Sequence, residues 1–140
     1  MNMDTDIKPR PLKSTADGVY WDYLKKHELR LQKCTKCQFI RFPASPLCPE
    51  CHSNDHTWQR VKGTGSVFSW VVFHKCYFPS FAKNVPYNVA MIQLDEGPIV
   101  IANIINIENS AIKRGLRVEV MFDDIDDTLT IPRFKPIVLS

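Results

Sequence analysis

Four of the five cysteines fall in one short stretch: Cys34-Thr-Lys-Cys37, ten residues, then Cys48-Pro-Glu-Cys51. Two Cys-x-x-Cys pairs around a short loop set four thiolates where a tetrahedral zinc ion takes them, at Zn–S distances of about 2.3 Å. The spacing predicts two knuckles at the tips of short hairpins sharing one ion, which is a zinc ribbon. Cys34, Cys37, Cys48 and Cys51 are the expected ligands. A site with four protein ligands has no open position for water or substrate, so it staples the chain and shapes a surface rather than catalysing. Three alternatives stay open at this point. His52 or His56 replaces one cysteine, the cage holds iron, or the cysteines form two disulfides in an oxidising compartment.

The N-terminus bears on that last alternative. Residues 1–12 carry Asp4, Asp6, Lys8 and Arg10 and no apolar core, so they do not read as a signal peptide. No apolar run approaches the ~20 residues needed to cross a bilayer. The expectation is a cytoplasmic protein with reduced cysteines and no membrane partner. With 140 residues the chain suffices for one domain, or a small domain with an appendage. Charge is uneven: eleven Lys+Arg face seven Asp+Glu in residues 1–65, against seven and eight in residues 66–140.

Taken in order, residues 1–14 place Pro9 and Pro11 among charges and read as an extended arm. A short helix follows, capped by Thr15 or Asp17 and ending near His27, with Tyr20 and Leu24 as an i, i+4 pair. It covers the protein's own core or forms part of a subunit interface. Residues 28–33 alternate polar and apolar and lead into Cys34 as a ribbon strand. Residues 39–43 and 54–61 supply two more, with Trp58 inward and Arg60 and Lys62 outward.

Gly63-Thr64-Gly65 marks a boundary, beyond which the pattern is pure β. Strands are expected over 66–75, 88–94, 98–105, 115–122 and 128–131. The third is almost continuously apolar, as for a strand covered on both faces. Five strands with a glycine at the start and loops of uneven length predict a small OB-type barrel, with a half immunoglobulin-like sandwich as the alternative. The reading is thus mainly β: an arm (1–14), a helix with a rubredoxin-like ribbon (15–62) and a five-stranded OB-fold domain (63–140).

Two further segments invite a chemical reading. The connection His74 to Pro86 is long and holds Tyr77, Phe78 and Phe81, which either fold over an open barrel end or line a ligand or partner surface. It also holds Cys76, two residues from His74; the pair lacks an orienting third group, and a lone buried cysteine is the simpler reading. Asp123, Asp124, Asp126 and Asp127 lack the glycine and distal glutamate of a calcium loop and read as a solvated turn between strands. Both a barrel and a ribbon can bind single-stranded nucleic acid through a basic groove and stacking aromatics, but the barrel half is net acidic, which argues against a nucleic-acid partner.

In their order, these elements resemble the OB-fold, zinc-ribbon proteins associated with acyl-CoA enzymes, a family long described as a domain of unknown function. The residues that carry the resemblance run from Leu29-Arg-Leu-Gln-Lys-Cys34 through both cysteine pairs, Phe42-Pro43 and Trp58. They continue with Gly63-x-Gly65, Val67-Phe68-Ser69, Pro86-Tyr87, Leu94-Asp95-Glu96-Gly97, Gly115 and Pro132-Arg-Phe134-Lys-Pro136. The likeness covers residues 15–136. Gln38 departs from it, standing where the family often has glycine. The resemblance implies a non-catalytic accessory subunit of a thiolase-like acyltransferase, or of a related lyase or hydratase, in a hetero-oligomer. It implies that ribbon and helix bind the enzyme while the barrel helps hold acyl-CoA. On that reading Lys33, Lys36, Arg41, Arg60 and Lys62 are candidates for the CoA phosphates or the partner, and Tyr77, Phe78 and Phe81 for the acyl arm.

Overall fold

The computed structural model describes Lys8, Arg10, Pro11 and residues 17–137. The expected arm is therefore described at three positions only, and Thr15 lies outside the described residues. Helix α1 spans Asp17–Lys25, with Asp17 in its first turn and Lys25 in its last, each sign suited to the helix dipole. It stops where His27 turns left-handed, at φ 59°. The His27 N–H then reaches the Leu24 carbonyl and the Glu28 N–H the Tyr23 carbonyl, at 2.9 and 3.1 Å, which is a Schellman closure made without glycine. The His27 ring stacks on Phe122 at 5.1 Å and bonds the Asp124 carboxylate at 2.9 Å, tying the helix end to the barrel.

The ribbon sheet has β1 (Arg30–Cys34) between β2 (Ile40–Arg41) and β3 (His56–Arg60). The barrel strands are β4 (Thr64–Phe73), β5 (Tyr87–Leu94), β6 (Ile99–Ala102), β7 (Arg117–Asp126) and β8 (Leu129–Pro136), in the order β6-β5-β4-β7-β8. A parallel bridge between Ile104 and Phe134 brings the two ends together. There the Phe134 N–H donates to Asn103 O and the Ile105 N–H to Phe134 O, at 3.0 and 2.8 Å. The result is a nearly closed five-stranded barrel of OB type.

Glycine is required where the two sheets meet. A Cβ on Gly65 would run into the Gln93 carbonyl of β5, and one on Gly63, at φ 82°, into the Val120 side chain. One apolar core joins Tyr20, Leu24, Leu29 and Leu31 to Val67, Ala90, Ile92, Leu94, Val118 and Phe134.

Three expectations need correction. Strand β6 is an edge strand, and its Ile101 is 60% exposed, so it is not covered on both faces. Strand β8 runs on through Pro132 to Pro136 instead of ending at Ile131. The Phe134 N–H points away from β7, to Asn103, so Pro132 and Pro136, two residues either side, lack only N–H groups that β7 does not use. Of the acidic run only Asp127 lies in the exposed turn: β7 continues to Asp126 through a bulge. Asp123 pairs with Arg133, Asp124 with His27, and Asp126 with Arg10.

Candidate metal centre and ligand groove

The two knuckles are built alike. In each, the residue after the second cysteine is left-handed: Gln38 at φ 69° and His52 at φ 64°. Their N–H groups return to the carbonyls of Cys34 and Cys48, at 3.0 and 2.9 Å. The N–H groups of Cys34 and Cys48 in turn donate to Phe39 O and Ser53 O, both at 2.8 Å. Glutamine adopts the left-handed form less readily than glycine; the Gln38 side-chain amide offsets this by donating to Thr35 O at 3.1 Å.

This backbone brings all four sulfurs within 4.8 Å of one another. Cys34 and Cys51 are 3.5 Å apart, Cys37 and Cys48 3.6 Å. The edge of a tetrahedron with bonds of about 2.3 Å is about 3.8 Å, so the donor set suits one tetrahedral thiophilic ion. The sulfurs are free thiols, not disulfides. The histidines weighed as replacement ligands stand outside the set: His56 lies opposite Cys34 on β3, with Nε2 3.4 Å from the Gln32 amide.

The surroundings treat the thiols unequally, holding Cys34 and Cys48 down and Cys37 up. The Cys34 thiol is held down to about 6, first by the Cys37 N–H. Cys37 is pushed up to about 12: the Phe39 N–H lowers it, but burial and the sulfurs of Cys48, Cys51 and Cys34 outweigh that. Four thiolates this close oppose one another's ionisation, and a dication at their centre removes the conflict.

The five cations singled out from sequence do not stand together. Cross-strand partners share a face, so Lys33, opposite Ile40 and Thr57, lies on the other face of the ribbon sheet from Arg41 and Arg60, which pair with Gln32 and Arg30. Lys36, Arg60 and Lys62 are exposed. Arg41 is only 4% exposed; one Nη donates to Ser45 O at 3.0 Å, while Nε and the other Nη have no partner.

The loop from His74 to Pro86 divides its aromatics. Tyr77 and Phe78 are 62% and 57% exposed, while Phe81 turns back in a short 3₁₀ turn beside Tyr87, ring centroids 5.9 Å apart. Phe81 and Tyr87 help line a groove of about 370 Å³, together with Ile104, Ile131, Lys8 and Arg133. The Lys8 ammonium lies 5.2 Å over the Phe81 ring. The Cys76 thiol donates to Phe78 O at 2.8 Å, a local bond within the loop.

Beside the groove is a clasp that sequence reasoning missed. Asn88 is 5% exposed on β5. Its amide donates to Ile104 O and to Asn109 Oδ1, at 2.8 and 3.0 Å, and its Oδ1 accepts the Ile104 N–H at 2.7 Å. One side chain thus stands in for a strand rung where β6 has ended. The signal was present: an asparagine in phase with the inward Ala90, Ile92 and Leu94, in a position where strands disfavour it.

Among the described residues no helix is long and apolar enough to cross a membrane. Residues 21–57 match the rubredoxin-like zinc ribbon domain of ChsH2, and residues 58–123 its C-terminal OB-fold domain. A protein of Thermomonospora curvata named "Probable enoyl-CoA hydratase alpha subunit" is 33% identical over 94% of this chain; the chain spans 41% of that relative's length. A DUF35 domain-containing scaffold protein of Pyrococcus furiosus is also 33% identical, over 86% of this chain and 93% of its own. A chain of the solved Ltp2-ChsH2(DUF35) aldolase superposes with a TM-score of 0.84 at 33% identity, over 92% of this chain and all of that one. By order of motifs and fold, the chain belongs to the DUF35 family, in which a ChsH2-type rubredoxin-like zinc ribbon is joined to an OB-fold domain.

Proposed function

We propose that this chain is a non-catalytic accessory subunit of an acyl-CoA enzyme, either a thiolase-like acyltransferase or a related lyase or hydratase. The observation that carries the reading is the superposition on the whole of one chain of the solved Ltp2-ChsH2(DUF35) aldolase. The likeness to a protein named as a hydratase alpha subunit points the same way. In this role Cys34, Cys37, Cys48 and Cys51 hold one zinc ion, which supplies a structural cross-link. The chain's own residues then present surfaces: the ribbon offers Lys33, Lys36, Arg60 and Lys62 to a partner or to phosphates, and the loop offers Tyr77 and Phe78.

The groove is the proposed place for acyl-CoA. Its volume falls within the 300–1,000 Å³ of small-molecule sites. Among its lining residues, Phe81, Tyr87, Ile104 and Ile131 suit a flexible apolar arm, and Lys8 suits an anion. The test is calorimetric titration of acetyl-CoA into the chain alone and into its native complex. Weak binding by the chain, strengthened in the complex and reduced by Phe81→Ala, is expected. Equal heats from parent and Phe81→Ala in both settings would remove the groove from the account. Purification of the native complex without any thiolase, lyase or hydratase subunit would remove the accessory role itself.

A further inference from the structure

The outer surface of the barrel is built in two unlike halves. On β7 and β8 the outward positions carry ion pairs, Arg133 with Asp123 and Lys135 with Glu119, with Met121 and Ile131 between them. On β4, β5 and β6 they hold no charge at all. Ala90, Ile92 and Leu94 point into the core, so Tyr87, Val89 and Met91 point out. Their cross-strand partners share that side: Phe73 opposite Tyr87, Val71 opposite Val89, Ile101 opposite Met91. Ile101 is 60% exposed, Val71 53% and Met91 39%. Tyr77 extends the patch, its ring 6.2 Å from Phe73. A strand face turned to water alternates with the core face and is polar; this one is apolar from Phe73 and Tyr87 to Ile101, its polar positions being Ser69, opposite Met91, and Gln93.

We infer that this face of β4, β5 and β6 is the docking surface for the partner enzyme, and that it takes an apolar protein surface rimmed by carboxylates. The inference rests on the accessory-subunit reading. A centre without charge but with aromatics and methionine is the composition of a protein interface core. The rim names the complementary charge. Lys75, its ammonium 5.2 Å over the Tyr77 ring, and Lys83 stand in the loop that carries Tyr77; neither has a carboxylate partner among the described residues, and the loop 74–86 contains no Asp or Glu. A second copy of the chain would offer those lysines no acid from the same patch, so a two-fold contact between copies is not complementary. Two cations also fall short of the four to eight that anionic lipid recognition uses.

The test places a photo-crosslinking phenylalanine analogue at Val71, at Ile101 or, on the ribbon, at Lys36 of the full chain in its native cells. The expected result is an adduct from Val71 and Ile101 to an acyl-CoA enzyme subunit identified by mass spectrometry, through an apolar peptide flanked by Asp or Glu. Lys75→Glu with Lys83→Glu should cut its yield severalfold. Adducts between two copies, adducts to lipid, or no adduct from either barrel position while Lys36 captures the enzyme would overturn the docking surface and leave the accessory role standing. If no position captures an acyl-CoA enzyme, the accessory role falls and the docking surface with it.

Discussion

Replacing Asn88 by alanine should loosen the barrel by an amount the structure sets. The change removes three side-chain hydrogen bonds, two donated and one accepted. Ile104 is 3% exposed, so its N–H and C=O are left buried and unpaired. Each such orphan costs about 1–3 kcal/mol, giving a loss of about 3 kcal/mol from a total that is typically about 5–15 kcal/mol. With a urea m-value of about 2 kcal/mol/M, the unfolding midpoint should fall by about 1.5 M. Asn109→Ala removes only the outer contact and should shift it far less. Urea titration followed by tryptophan fluorescence measures both. A midpoint for Asn88→Ala within about 0.3 M of the parent would show that water replaces the amide, and that the clasp does not hold Ile104 in place.

Cys37→Ser should leave the purified chain with far less than one metal per molecule. Amide protection should disappear from β1–β3 while β4–β8 keep theirs, as hydrogen exchange would show; structural zinc supplies ~10 kcal/mol or more in finger peptides. Gly65→Ala forces a methyl against the Gln93 carbonyl and should cost about 1–3 kcal/mol, seen as a lowered melting temperature. Asp95 is held below the ordinary carboxylate range, first by Arg117 and then by the Thr64 hydroxyl, and Asp126 first by Arg10. A depressed carboxylate stabilises the fold fully above its unfolded pKa of about 3.9 and loses that contribution as pH falls through the folded value. Arg117→Gln should therefore be less stable than the parent at pH 6, with the gap narrowing once the pH falls below about 3.9 and still open at pH 2.

How much of this was legible depended on whether the signal was local. The ribbon was legible because ligand spacing is a sequence property: two Cys-x-x-Cys pairs carry the site, and the backbone follows. The barrel strands were legible from their periodicity, and the loop from 74 to 86 from its aromatics. The misread parts were set by pairing across the fold. Whether Ile101 is covered depends on β6 lying at an edge, and an apolar run looks the same at an edge as in the middle of a sheet. The acidic run reads as a turn until Arg10, His27 and Arg133 arrive from distant parts of the chain. His27 gave no sign of its left-handed backbone, since glycine usually marks that position. Nearness along the chain groups the cations, whereas strand alternation puts Lys33 and Arg60 on opposite faces.

Turnover of an acyl-CoA substrate is the most direct test of the central claim. It should be followed with the purified chain alone, with the enzyme subunit of its native complex alone, and with the two recombined. The account predicts no turnover by the chain alone at any concentration, and a rate or substrate affinity of the enzyme subunit that rises on recombination and saturates at a fixed stoichiometry. Turnover by the chain alone, or an enzyme subunit indifferent to its presence, would contradict it.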